Sequence, residues 1–153
     1  MRNAVAGFWC EAVARCPATG DRPGGCDAWF LGGYRASSPR LAVRWLRGQA
    51  LRLARALDPR PGTGPLPAAC LHRTGPNSPN PGHILRTWAQ DLRCQETHLL
   101  LLAAARPINI TAGGPDSIYG LRDTDVYYSL TARPLPVEAS TSRKIPSPRS
   151  APP

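Results

Sequence analysis

Lysine is nearly absent from this sequence, and several other residue types are scarce. Lys144 is the single lysine, so arginine supplies 18 of the 19 basic residues. The residue types with A/T-rich codons (Lys, Asn, Ile, Phe, Tyr and Met) total 17, whereas Arg, Pro, Gly and Ala make up 71 of the 153 residues. A bias in residue usage that runs this evenly along the chain is typical of nucleotide composition. One interpretation is therefore an orphan product of a GC-rich reading frame with no selected function.

Acidic residues and histidines are also few, which argues against an enzyme. Ten Asp or Glu and three His are scattered along the chain, without clustered carboxylates and without a Gly-x-Ser-x-Gly motif. Nucleophilic catalysis needs a nucleophile and a base within hydrogen-bond reach, and known families encode that arrangement in local signatures. No such signature occurs here. The sequence predicts no enzymatic activity and no catalytic residue.

The cysteines form a sparse, odd set without a C-x-x-C motif: Cys10, Cys16, Cys26, Cys70 and Cys94. Such a set favours reduced thiols in an intracellular compartment over a disulfide framework. Cys94 and His98 have the i, i+4 spacing of two zinc ligands on a helix, and Cys70 and His72 offer two more. The gap between these pairs is irregular. We therefore expect no metal site and no cofactor.

Long apolar stretches are missing. The longest, Leu99–Ala105, has seven residues, which is too short to cross a bilayer, and Glu11 interrupts the apolar N-terminal segment that a signal peptide would need. We expect a soluble, intracellular protein, with nucleus and cytoplasm both open. Leu, Ile, Val and Phe reach only 29 residues, near the level at which chains of high net charge stay disordered. The composition predicts a partly folded chain.

The first predicted helix lies in segment 37–58. Ser38 and Pro39 suit the N-cap and first helical positions, and Asp58-Pro59 ends the pattern. Over residues 39–57 the apolar residues follow a helical period and face one side. Five arginines and no acid occupy the rest of this basic amphipathic helix: Arg40, Arg44, Arg47, Arg52 and Arg55.

The second predicted helix lies in segment 83–106. Asn80-Pro81 precedes it and Arg106-Pro107 ends it. Apolar residues recur with a heptad spacing, which is typical of a helix that buries one stripe against another surface. This leucine stripe consists of Leu85, Trp88, Leu92, Leu99 and Leu102.

The remaining segments predict little regular structure. They are an irregular, Cys- and Trp-containing segment 1–36, a Pro/Gly linker 59–82, a turn and weak strand in 107–133, and a disordered tail 134–153. The strand lies at 125–132, where apolar residues alternate. The fold class expected is thus mainly α and incomplete. It has two amphipathic helices, with antiparallel packing of the two as one option.

The sequence favours a non-enzymatic protein that interacts with other proteins. Helix 83–105 would dock the leucine stripe on a partner or on a second copy of the chain, with Trp88 as the anchor. The alternative uses helix 39–57, whose arginines would bind nucleic acid or an anionic membrane surface. These two hypotheses and the orphan reading frame remain open at this point.

Overall fold

The computed structural model describes residues 5–17, 27–65, 67–71, 75–118 and 121–137. Within these ranges the chain forms one four-stranded antiparallel sheet in the order β2-β1-β4-β3, with helices packed on it. The elements in chain order are β1 (Val5–Cys16), β2 (Asp27–Ala36), α1 (Pro39–Leu57), α2 (Pro81–Gln90), α3 (Leu92–Ala103), β3 (Ile108–Ile118) and β4 (Leu121–Pro136). A single 3₁₀ turn, Ala68–Cys70, lies in the described part of the predicted linker 59–82, whose last two residues begin α2.

The prediction of a mainly α, incomplete fold is wrong. The described ranges contain a four-stranded antiparallel sheet as well as three helices, and strand and helix have about equal shares. Segment 1–36, predicted to be irregular, contains β1 and β2, which form a hairpin. The weak strand predicted at 125–132 is the middle of the 16-residue β4, which pairs with β1 on one side and β3 on the other.

β1 was missed because its two faces are unusual. Its buried residues are Phe8, Cys10, Ala12 and Ala14, and its other face carries Trp9, Glu11, Val13 and Arg15. A half-buried strand normally alternates large apolar with polar residues. Here small residues are buried while a tryptophan and a valine face outward. The alternation is therefore hidden in the sequence.

β3 was missed because of its glycines. Gly113 and Gly114 resemble a turn in the sequence, yet both pair within the β3–β4 ladder. Gly114 lies under the start of α2, where an added Cβ would meet the Pro79 carbonyl oxygen and the Pro81 ring, both at 2.6 Å. The glycine thus permits close approach of the helix start to the sheet.

α1 lies where the basic helix is predicted. The Ser38 hydroxyl accepts a hydrogen bond from the Leu41 N–H at 3.3 Å, and Pro39 opens the helix. This cap satisfies one of the N–H groups that have no partner inside a helix. The buried side of α1 consists of Ala42, Val43, Leu46, Ala50, Leu53 and Ala54.

The second predicted helix is two helices, because Asp91 interrupts it. Asp91 ends α2 and also caps α3, where its carboxylate accepts from the Cys94 N–H at 3.0 Å. The carbonyls freed at the end of α2 are satisfied by the buried amide of Gln95, which donates to Trp88 and Ala89. The break reorients α3 relative to α2.

α2 runs antiparallel to α1. From the middle of α2, the Arg86 guanidinium forms a 2.7 Å ion pair with Asp58 just beyond the C-terminal end of α1. Near its end, Arg47 of α1 donates to the Ala89 carbonyl at 2.8 Å. α1 and α2 thus pack as an antiparallel pair, and the sheet contributes 12 of the 22 buried hydrophobic residues in the described ranges.

Alanine explains how a chain with few large aliphatic residues fills this core. Nine of the 22 buried hydrophobic residues in the described ranges are alanines, distributed over strands and helices alike. Small side chains let backbone layers approach closely while interior packing stays dense. Within the predicted tail 134–153, residues 134–136 complete β4, and residues 138–153 lie outside the described part of the chain.

Candidate nucleic-acid interface

The helices cover one face of the sheet, and no described helix covers the other. The covered face contains the buried residues of β1 and β4, and Tyr34 of β2 stacks there on Trp45 of α1 at 6.2 Å between ring centroids. Successive strand residues point to opposite faces. The neighbours of these buried residues therefore form a second surface, the open face.

The register of the strands places aromatic and arginine side chains side by side on the open face. Trp9 of β1 is directly opposite Arg35 of β2 on one side and Arg133 of β4 on the other. Toward the other end of β1, Arg15 is opposite Tyr127. Cross-strand neighbours of this kind have Cβ atoms about 5 Å apart. Local sequence patterns do not reveal this surface, because its residues come from both ends of the chain.

Two aromatic rings meet over a glycine. An added Cβ on Gly33 would lie 2.8 Å from the tip of Phe30 and 2.8 Å from the indole of Trp9. Phe30 is also opposite Val13, and 64% of its surface is exposed. Because Gly33 lacks a side chain, both rings can lie over its backbone.

Tyr127 makes a similar arrangement on the same face, between β4 and β3. Its ring lies over Gly113 of β3, where an added Cβ would be 2.7 Å from the ring. The side chain is still 44% exposed. Rings that cover glycines on neighbouring strands are a known means of stabilising a sheet. Here they also leave aromatic surface accessible to solvent.

Glu11 fixes the position of Trp9. The indole N–H of Trp9 donates to one Glu11 oxygen at 3.0 Å, and the Thr131 hydroxyl donates to the other at 3.5 Å. Among the side chains that the structure describes, Asp125 is the other acid at an open-face position, at the edge of this surface. Three arginines thus lie with two described carboxylates, and the Glu11 carboxylate is already hydrogen bonded twice.

The arginines of α1 lie on the helical side of the molecule. Arg47 is used in the structure, since it binds the Ala89 carbonyl, and Arg52 donates to the Leu31 carbonyl at 3.0 Å. Arg40, Arg44 and Arg55 are exposed. All five predicted anion-binding residues are exposed, and two of them, Arg47 and Arg52, also donate hydrogen bonds within the protein.

The leucine stripe does not form a surface. Leu85 and Leu102 are fully buried and Trp88 is 8% exposed, so these three belong to the core. Leu99 is half-buried, and Leu92 is 67% exposed. Three of the five predicted partner-binding residues therefore belong to the core, and a partner could contact them only if the core opened.

Cys94 and His98 do lie together, as their spacing predicts. The Cys94 sulfur is 3.9 Å from His98 Nε2, and the Trp88 indole N–H donates to His98 Nδ1 at 3.3 Å. Burial lowers the pKa of His98, which favours the neutral ring that this hydrogen bond requires. In the described ranges, no group of three or more His, Cys, Asp or Glu residues is arranged to hold a metal ion.

None of the helices described above is both long enough and apolar enough to span a membrane. No protein-family model, no curated protein and no solved structure matches this chain. A functional proposal therefore depends on the geometry of the open face.

Proposed function

We propose that this protein binds single-stranded nucleic acid on the open face of its sheet. The observation that carries the proposal is the row in which Trp9 lies between Arg35 and Arg133, with the exposed rings of Phe30 and Tyr127 nearby. Aromatic rings stack on unpaired bases, and arginine guanidinium groups pair with phosphates. Binding a single strand in this way requires both aromatic rings and arginines, and the open face has both.

The dimensions of the surface fit a short single strand. Trp9 and Arg15 are six residues apart along β1, which corresponds to about 20 Å. The four strands span about 14 Å across the sheet. Four-stranded sheets that bind RNA use aromatic residues to stack two or three bases. Three accessible rings support a similar footprint of about three bases.

The chemistry favours single strands over a duplex or a lipid surface. In a double helix the base faces are stacked on each other and are not accessible to a flat aromatic platform. A membrane surface offers phosphates but no bases. The net charge of +9 adds long-range attraction for any polyanion and so raises the association rate without selecting among them.

A second candidate surface is the exposed arginine group of α1, consisting of Arg40, Arg44 and Arg55. These side chains supply positive charge. They support the interpretation, drawn from the sequence, of electrostatic binding to nucleic acid or anionic lipid. We rank it second because three charges on one helix bind phosphates without contacting bases.

The experiment compares two matched triple variants in fluorescence anisotropy with labelled oligothymidylate and oligouridylate. The first carries Arg15→Gln, Arg35→Gln and Arg133→Gln on the open face. Its control carries Arg40→Gln, Arg44→Gln and Arg55→Gln on α1. Both remove three charges, so they change long-range attraction equally. Only the first should abolish binding.

The salt dependence adds a quantitative test. With three phosphate contacts to a single strand, log affinity should fall with log salt with a slope of about −2. The α1 variant should retain this slope, and any residual binding by the open-face triple variant should have a shallower one. If the α1 variant loses binding instead, the second candidate surface is correct. If the folded wild-type protein binds neither oligonucleotide, the proposal is wrong.

Stacking is tested separately from charge. Phe30→Ala and Tyr127→Ala should each weaken binding by roughly 1–3 kcal/mol, whereas Tyr127→Phe should retain most of the affinity. Polyphosphate should compete poorly because it lacks bases. Equal competition by polyphosphate would show that the surface recognises charge alone.

A further inference from the structure

Glu11 places a carboxylate among the rings and arginines of the open face. It is directly opposite Gly33 of β2 on one side and Thr131 of β4 on the other. The rings of Trp9 and Phe30 lie over Gly33, so both rings are beside this carboxylate. A carboxylate repels phosphates, so contact with the backbone of a nucleic acid does not account for an acid at this position.

The hydrogen bonds of Glu11 leave one acceptor site open on each of its oxygens. The Trp9 indole N–H donates to Oε2 and the Thr131 hydroxyl donates to Oε1. An ionised carboxylate has about four lone-pair sites, shared equally by its two oxygens. Among the described side chains, no basic group forms an ion pair with Glu11, and the residue is only half-buried. Glu11 therefore offers two neighbouring acceptors, held in position from below, to a ligand on the open face.

Two neighbouring acceptors match one of the common bases. On its base-pairing edge, guanine carries the N1–H and N2–H donors side by side and pointing in the same direction. Adenine and cytosine have one amino group beside a ring-nitrogen acceptor, and thymine and uracil have one N–H between two carbonyl oxygens. Each of these four bases would turn an acceptor toward one of the Glu11 oxygens. Guanine satisfies both oxygens, as an arginine does in a bidentate pair with a carboxylate.

We infer that Glu11 selects guanine at one position of the bound strand. The inference rests on the proposed function, because a base reaches the carboxylate by stacking on the Trp9 or Phe30 ring. Stacking and phosphate contacts hold a strand of any sequence, and guanine adds two hydrogen bonds to them. Each hydrogen bond to a charged group is expected to increase affinity about tenfold.

The first test compares trinucleotides that differ only in the central base, each measured as a competitor of labelled oligothymidylate. Both flanking residues are thymidines, and the central base is guanine, hypoxanthine, adenine, cytosine or thymine. Hypoxanthine keeps N1–H but lacks the 2-amino group, so it separates the two hydrogen bonds. The wild-type protein should bind the guanine trinucleotide about tenfold more tightly than the hypoxanthine one, and adenine, cytosine and thymine should bind more weakly than either.

The second test compares two variants that each remove one negative charge from the open face. Glu11→Gln keeps an oxygen that accepts from Trp9 but replaces the other acceptor with an amide donor. Asp125→Asn, at the edge of the surface, is the matched control. The readout is the ratio of guanine to thymine affinity within each variant, so a general effect of charge cancels. This ratio should fall to about one in Glu11→Gln and keep its wild-type value in Asp125→Asn.

Equal affinity of the wild-type protein for all the trinucleotides would overturn the inference and leave the proposed function standing. So would a Glu11→Gln variant that weakens every trinucleotide by the same factor, because Glu11 would then act only by positioning Trp9. The indole N–H signal of Trp9 in NMR shows whether the ring keeps its position in this variant. If the folded wild-type protein binds neither oligothymidylate nor any of the trinucleotides, the proposed function fails and this inference fails with it.

Discussion

Two leucines from the same predicted stripe have opposite environments, and this difference is the sharpest test of the fold. Leu85 is completely buried between α2 and the rest of the core, while Leu92 is 67% exposed at the start of α3. Their heptad spacing makes the two equivalent in the sequence. In the structure, Leu85 is enclosed by core atoms, so its truncation removes packing contacts, whereas Leu92 is mostly exposed to solvent.

Leu85→Ala removes a side chain whose burial stabilises by about 2 kcal/mol, and the cavity left behind adds to the loss. We expect unfolding free energy to fall by about 3 kcal/mol, within the 2–5 kcal/mol range of buried Leu→Ala changes. For a chain of this length, that lowers the melting temperature by roughly 6–12 °C. Leu92→Ala should change the free energy by no more than about 0.5 kcal/mol.

Urea denaturation followed by circular dichroism measures both variants on the same scale. The protein should be dilute, so that association of folded chains does not add to the apparent stability. Equal destabilisation by the two variants would refute the assignment of Leu85 to the core and of Leu92 to the surface. A larger effect of Leu92→Ala would refute it more strongly still.

Three further predictions concern individual residues. Because burial lowers the pKa of His98 below its ordinary value of 6.5, the unfolded chain binds the proton more readily. Stability measured by urea should therefore decrease as pH falls through 6.5, and His98→Gln should reduce that dependence. Gly82→Ala should destabilise by about 1–3 kcal/mol in the same assay, since the new Cβ would lie 2.5 Å from the Asp58 Cβ; an unchanged midpoint would contradict this close packing. Burial raises the pKa of the Cys10 thiol to about 11, so a thiol reagent at pH 8 should label exposed Cys70 quickly and Cys10 only on unfolding.

The starts of α1 and α2 could be predicted from the sequence because their capping residues are adjacent in the chain. Ser38-Pro39 and Asn80-Pro81 both act as cap and first helical residue, with the cap side chains bonded to the backbone three residues later. Capping depends on residues adjacent in the chain, so it can be recognised without knowing the tertiary structure. The break at Asp91 is a different case, because its stability depends on Gln95 binding the freed carbonyls.

The sheet could not be predicted from local patterns. β1 pairs with β4 more than 100 residues away, and its buried side is formed mainly by alanine and cysteine. A count of Leu, Ile, Val and Phe therefore underestimates the core, because it omits the buried alanines. The fold depends on alanines at positions where helices approach the strands closely, and this is visible only in three dimensions.

The candidate site was missed for a related reason. Trp9, Arg35 and Arg133 become neighbours only through the strand register. Sequence spacing reveals clusters along a single helix, such as the arginines of α1, two of which donate hydrogen bonds within the protein. Arg35 and Arg133 belong to no such cluster along the chain.

The most direct test of the nucleic-acid proposal is an NMR titration of the full chain with short oligothymidylate, observing the indole N–H signals of the four tryptophans. Trp9 lies on the open face, whereas Trp45 and Trp88 belong to the helices on the covered side and Trp29 pairs with the inward-facing Ala14. We expect the Trp9 signal to shift with added oligonucleotide while the other three stay in place. Shifts at Trp45 without any at Trp9, or no shift at all, would contradict binding on the open face.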